Sequence, residues 1–125
     1  MSDSKLLKNL LEIQNQMKLY HWQTRNYGRH KASDLFVTKA IGIIDRIIES
    51  YQGTYGTIKL KDSDSKLVLK NLGDKEIVVF LKKMKKFIQV DFTQMLNSKE
   101  DHDLLALRDE MLENIDVTLY LFEFK

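Results

Sequence analysis

Apolar residues recur at three- and four-residue intervals through most of the chain, the spacing that lays a stripe along one side of a helix. Leu6, Leu10, Ile13, Met17 and Tyr20, flanked by Leu7, Leu11 and Trp22, predict one amphipathic helix from residue 3 to about 26, with Asp3 or Ser4 as its cap. Gly28 then breaks the run. A second helix is expected to begin near His30, to carry Phe36, Val37, Ala40, Ile44, Ile47 and Tyr51, and to stop at "QGTYG", where two glycines intervene. Residues 54–73 contain turn formers in "KDSDS" and a short apolar group in "KLVLKNL", and read as a connection with one or two helical turns of its own. A third helix over about 74–97 rests on Ile77, Leu81, Met84, Ile88 and Phe92, and a fourth over about 102–124 on Leu104, Met111, Ile115 and Phe122.

Helices of about 23 residues are about 35 Å long and can lie side by side. Their connections are short, long and short, and a long second connection can run the length of a bundle. The fold class predicted is therefore all-α: a ferritin-like four-helix bundle with one long crossover between helices 2 and 3, with an up-and-down bundle as the alternative if that connection folds back on itself.

Composition narrows the chemistry. At 125 residues the chain makes a single domain, residues 1–125, because it is too short to close a second core. It has no proline and only five glycines, which removes most helix breakers. It also has no cysteine, which excludes disulfides, thiolate zinc sites and cysteine nucleophiles, so any metal must be held by nitrogen and oxygen. The N-terminus lacks the apolar core of a signal peptide and no run approaches a membrane span, so the expectation is a cytoplasmic protein without a membrane partner. A formal charge of +2 is too mild to point to nucleic acid. "LKKMKKF" could touch phosphate, but it reads more simply as a solvated helical face. No glycine-rich phosphate loop or nucleophile elbow occurs.

Two of the three histidines fall in "YHWQTRNYGRH", residues 20–30. On the second helix Asp45 and Glu49 stand four residues apart and stack on one face, where they could clamp one cation or simply form a solvated pair beside Arg46. His30 lies fifteen residues before Asp45, roughly 22 Å along the axis, so the two cannot share an ion within one chain. They do project within about 60° of each other. Two copies of this helix packed antiparallel about an axis at Phe36 to Thr38 would bring His30 of one copy against Asp45 of the other, twice. The chain contains no Glu-x-x-His, the motif that ordinary di-iron bundles use twice, so a site built within one chain in that manner is excluded.

A histidine-tryptophan pair near the end of the first helix, a second histidine opening the next, and an aspartate and glutamate fifteen and nineteen residues beyond it together resemble the ferroxidase pattern of Dps-type miniferritins. The matching positions are His21, His30, Asp45 and Glu49, with Asp34, one turn after His30, matching a further family carboxylate. The closing helix, "HDLLALRDEMLENIDVTLYLFEF", is also similar. "HWQTRNYGRHKASDLF" with "LRDEMLENI" resembles more closely a family of short proteins of phages and large DNA viruses. The resemblance implies a homodimer or higher homo-oligomer that binds iron at two-fold interfaces for oxidation, with zinc or manganese as other metals suited to the donors. If the gene is viral, the location implied is host cytoplasm or virion. The spacing of His21 and His30 is shorter than in the miniferritins, and only "MSDSK" stands where some members carry a lysine-rich DNA-binding tail. The alternative expectation is a non-enzymatic viral or phage structural or interaction bundle with a silent site. His102 reads as a residue near the fourth helix's N-terminus, and Tyr20, Trp22, Tyr27 and the phenylalanines as core or interface packing.

Overall fold

The computed structural model describes residues 1–125 and contains four long helices and no strand: α1 (Asp3–Gln23), α2 (Tyr27–Tyr55), α3 (Asp74–Lys86) and α4 (His102–Phe122). They enclose one core in which Leu6, Leu10, Phe36, Ile47, Leu81, Phe92, Leu104 and Met111 are buried. Helix α2 packs against both α1 and α4, and α3 against α1 and α4. No helix is long and apolar enough to cross a membrane.

The helix ends follow from local chemistry. Ser2, one position before the expected cap, accepts a hydrogen bond from the Lys5 amide at 3.3 Å and opens α1. Helix α2 starts at Tyr27, three residues earlier than expected, because the Asn26 side chain caps it by accepting from the Arg29 amide at 2.9 Å. Gly28 then falls within the first turn and interrupts nothing. At the other end Gly53 is helical, and Gly56 alone, at φ +93°, stops the helix. The helical rod begun by α3 continues past Lys86 through a π-helical segment, Phe87–Phe92, to Gln94, short of the expected residue 97. There the Thr93 hydroxyl donates to the Ile88 carbonyl five residues back at 3.3 Å and accepts from Arg108 of α4 at 3.1 Å.

The connection between α2 and α3 lies along α1. The Lys61 amide donates to the Ser4 hydroxyl at 2.9 Å, near the start of α1. Buried Gln16 then behaves like a strand neighbour: its amide nitrogen donates to the Lys70 carbonyl at 2.8 Å and its oxygen accepts from the Lys70 amide at 2.9 Å. Gln23, the last residue of α1, donates to Asn71 at 2.8 Å. With its backbone groups taken in this way "KLVLKNL" is irregular, and the helical turns expected there are replaced by a single 3₁₀ turn at Asp62–Asp64.

The aromatics divide. Tyr20 and Phe36 are in the core, whereas Trp22 and Tyr27 are 65% and 74% exposed, each beneath a lysine ammonium, Lys18 at 5.6 Å and Lys31 at 5.9 Å.

Candidate metal centre

Only Thr24, Arg25 and Asn26 separate α1 from α2, so the end of one helix lies against the start of the next. The end is anchored from behind. The Tyr20 hydroxyl donates to the Asp74 carboxylate at 2.6 Å and accepts from Arg29 at 3.2 Å, Arg29 also donates to the Asp74 carbonyl at 2.6 Å, and the Thr24 hydroxyl donates to the same carboxylate at 3.1 Å. Burial, reinforced by the bond to Asp74, pushes the Tyr20 phenol above its ordinary range.

On this support the two histidines form a clasp. Their rings stack with centroids 4.1 Å apart and planes 17° from parallel. The Nδ1 of His21 is 2.7 Å from the His30 carbonyl, and the Nδ1 of His30 is 2.8 Å from the His21 carbonyl. A carbonyl oxygen only accepts, so each Nδ1 carries a proton, and in the neutral ring each Nε2 is left with a lone pair. Ser33, fully buried, donates to the Arg29 carbonyl at 2.7 Å and lies 3.3 Å from the His21 Nδ1, closing the back of the clasp. A far ring nitrogen held by a backbone oxygen is a feature that metal-ligating histidines share.

Asp34 is the carboxylate nearest this pair. Its Oδ1 is 3.9 Å from the His21 Nε2 and 4.0 Å from the Lys18 ammonium, and its side chain is 54% exposed. Asp45 and Glu49 lie farther along α2, both exposed and in no ion pair. Arg46, the basic neighbour with which Asp45 could have paired, turns instead to Glu110 of α4 at 3.4 Å. No three imidazole or carboxylate groups of the single chain gather as a metal-holding set. The fold thus brings His21, His30 and Asp34 to one end of the α1–α2 pair and leaves Asp45 and Glu49 apart from them on the same helix.

Ser33, Arg29 and Asp74 were missed by the sequence reading. Ser33 carries a faint signal, a serine one turn past a histidine on a helix. Nothing in the sequence ties Asp74 to Tyr20.

Comparison with curated proteins gave no match, and comparison with solved structures gave none. A family profile does match, over residues 21–122, which includes all five candidate residues and α2 through α4. The chain belongs to that family, described as a family of unknown function (DUF5856).

Proposed function

We propose that this protein is a Dps-like, divalent-metal-binding bundle of ferritin-like helix order whose site is shared between two copies. The observation that carries the reading is the pair of crossed ring-to-carbonyl bonds between His21 and His30, which spends both Nδ1 protons on the backbone and keeps both Nε2 atoms as ligands. The helix order is supported by the connection laid along α1 from Ser4 to Gln23, since it makes α2 and α3 run the same way.

In this reading His21 and His30 of one copy bind the ion from one side, with Asp34 beside them. Asp45 and Glu49 of a second copy supply charge from the other, through antiparallel packing of α2 about Phe36 to Thr38. The packing also covers Leu35 and Ile41, exposed apolar residues on either side of that axis, and sets Lys31 of one copy near Asp45 of the other. Ferrous iron held there would supply electrons to peroxide or oxygen, and the same nitrogen and oxygen donors suit zinc or manganese. The residues' own part is to fix ring orientation, to balance the cation and to leave coordination positions open.

The test is thermal. Anaerobic Fe(II), or Zn(II), should raise the melting temperature of the wild type, because an ion bound only to the folded dimer stabilises it. The same ions should leave Asp45→Ala and His30→Ala unmoved, and the solution mass should be that of a dimer or a larger closed assembly. Equal shifts in all three proteins, or a wild type that stays monomeric at micromolar concentration, would defeat the reading. The exposed Trp22 and Tyr27 favour a second account, a non-enzymatic interaction bundle, and that account predicts no metal-dependent shift at all.

A further inference from the structure

Away from the histidines, a cleft of about 510 Å³ opens between the start of α1 and the rod of α3. Its floor is apolar, formed by buried Met84 and Phe87 with Val90 at the edge, and it is also lined by Lys5, Lys83 and Lys86 against one carboxylate, Asp91. All three are exposed and in no ion pair, as are most lysines of the chain. Lys85 shows how α3 sorts its charges: it turns to Asp116 of α4 at 2.7 Å, while Lys83 and Lys86, one turn apart, face the cleft.

Helix-end electrostatics does not account for the cluster. Lysines are favoured in a last helical turn, but the rod continues through the π segment to Gln94, so Lys83 and Lys86 stand in mid-rod. Lys5 is in the first turn of α1, where the helix dipole disfavours a cation. Lysines drawn from two elements thus line one cleft together with apolar side chains. The π-helical turn, a feature found often at functional sites, supplies Phe87, Val90 and Asp91 to the same cleft.

We infer that this cleft binds a short polyphosphate chain, either inorganic or as the triphosphate of a nucleotide, with Lys5, Lys83 and Lys86 on its oxygens. A lining of three ammoniums and one carboxylate calls for an anion of more than one charge, and lysine serves such ligands as a point charge. The apolar floor separates the two sources: it adds nothing for the inorganic chain and gives a nucleotide base a surface to rest on. The inference is independent of the metal reading.

The test is a melting-temperature titration of the full chain in low-salt buffer containing a chelator, so that no metal contributes. Tripolyphosphate and ATP are titrated separately. A saturable rise in the wild type is expected with at least one of them. It should be lost in Lys83→Glu/Lys86→Glu and kept in Lys75→Glu/Lys82→Glu, which has the same net charge and alters the same rod outside the cleft. A stronger response to ATP identifies the nucleotide as the source, and equal responses the chain alone. No rise in the wild type, or an equal loss in both double variants, overturns the inference. Lys5→Glu, on the other wall, should also lose the response, and serves if the first double variant fails to fold by circular dichroism.

Discussion

The two ends of α2 each bring two rings together beside an aspartate, and the difference between them separates a candidate site from a structural joint. At the start, His21 and His30 lie 4.1 Å apart and their carboxylate neighbour, Asp34, is 54% exposed. At the end, Tyr51 and Tyr55 lie 4.8 Å apart and their neighbour, Asp101, is 3% exposed. Asp101 is satisfied from within, since its Oδ2 accepts from the Tyr55 hydroxyl and from the Asn97 amide, at 2.8 Å for the latter. That cluster ties α2 to the turn before α4. At the histidine end each Nδ1 is taken by a carbonyl, while the Nε2 atoms have no hydrogen-bond partner within the chain, which is the capacity the metal proposal draws on. Paired rings alone therefore say little, and what separates the two ends is whether their polar atoms are all partnered within the chain.

Four experiments sharpen or break this contrast. Asp101→Ala should cost the most, about 2 to 3 kcal/mol by urea denaturation, because it strips a buried acceptor from the Tyr55 hydroxyl and the Asn97 amide together. A cost under about 0.5 kcal/mol would mean that the tyrosine end is not the joint described. His21→Ala removes a buried ring and one crossed bond, and should cost about 1 to 2 kcal/mol in metal-free buffer while also removing any metal-dependent rise in melting temperature. Retention of that rise would place His21 outside the ligand set without touching His30.

The third concerns alkali. The hydrogen bond to Asp101, with lesser contributions from burial and that carboxylate's charge, raises the Tyr55 phenol to about 12 from its ordinary 10. Tyr51 is raised as well, chiefly by burial and then by Asp3 and Asp101. A folded-state value above the unfolded one favours the protonated, folded form, so this stabilisation is complete below pH 10 and is lost as pH rises towards about 12. Melting temperature should therefore fall over that interval, and fall less steeply in Tyr55→Phe. Parallel curves for the two proteins would contradict the assignment. The smallest effect is expected from Asp34→Asn, under about 0.5 kcal/mol, since its ion contacts are exposed and near 4 Å. A loss comparable to that of Asp101→Ala would show that the histidine end is as closed as the other.

Much of the helix pattern was legible because burial imposes it on the sequence: Leu6, Leu10, Ile13 and Met17 repeat at the period of a helix wherever its partners lie. The ends were less so. Tyr27 begins α2 because Asn26 caps it, a preference that competed in the sequence with a glycine two residues on. "KLVLKNL" has the composition of a helical turn, yet it forms none, because Gln16, fifty-four residues before Lys70, takes both backbone groups of Lys70. Residue 87, too, gives no sign that the helix widens there to a π turn.

By itself the sequence determined an all-α chain of four amphipathic helices, the donor types open to any metal, and the spacing that keeps His30 and Asp45 apart on one helix. Those properties depend on composition and on the rise of a single helix, which every window of the chain carries locally. Only the tertiary structure decided that the His21 and His30 rings stack, that each Nδ1 is taken by the other residue's carbonyl, that Arg46 turns to Glu110 rather than to Asp45, and that three lysines from two helices share a cleft. Each of these depends on groups brought together by the packing of separate segments, and the direction of a lone pair or an ammonium is set only once that packing is complete.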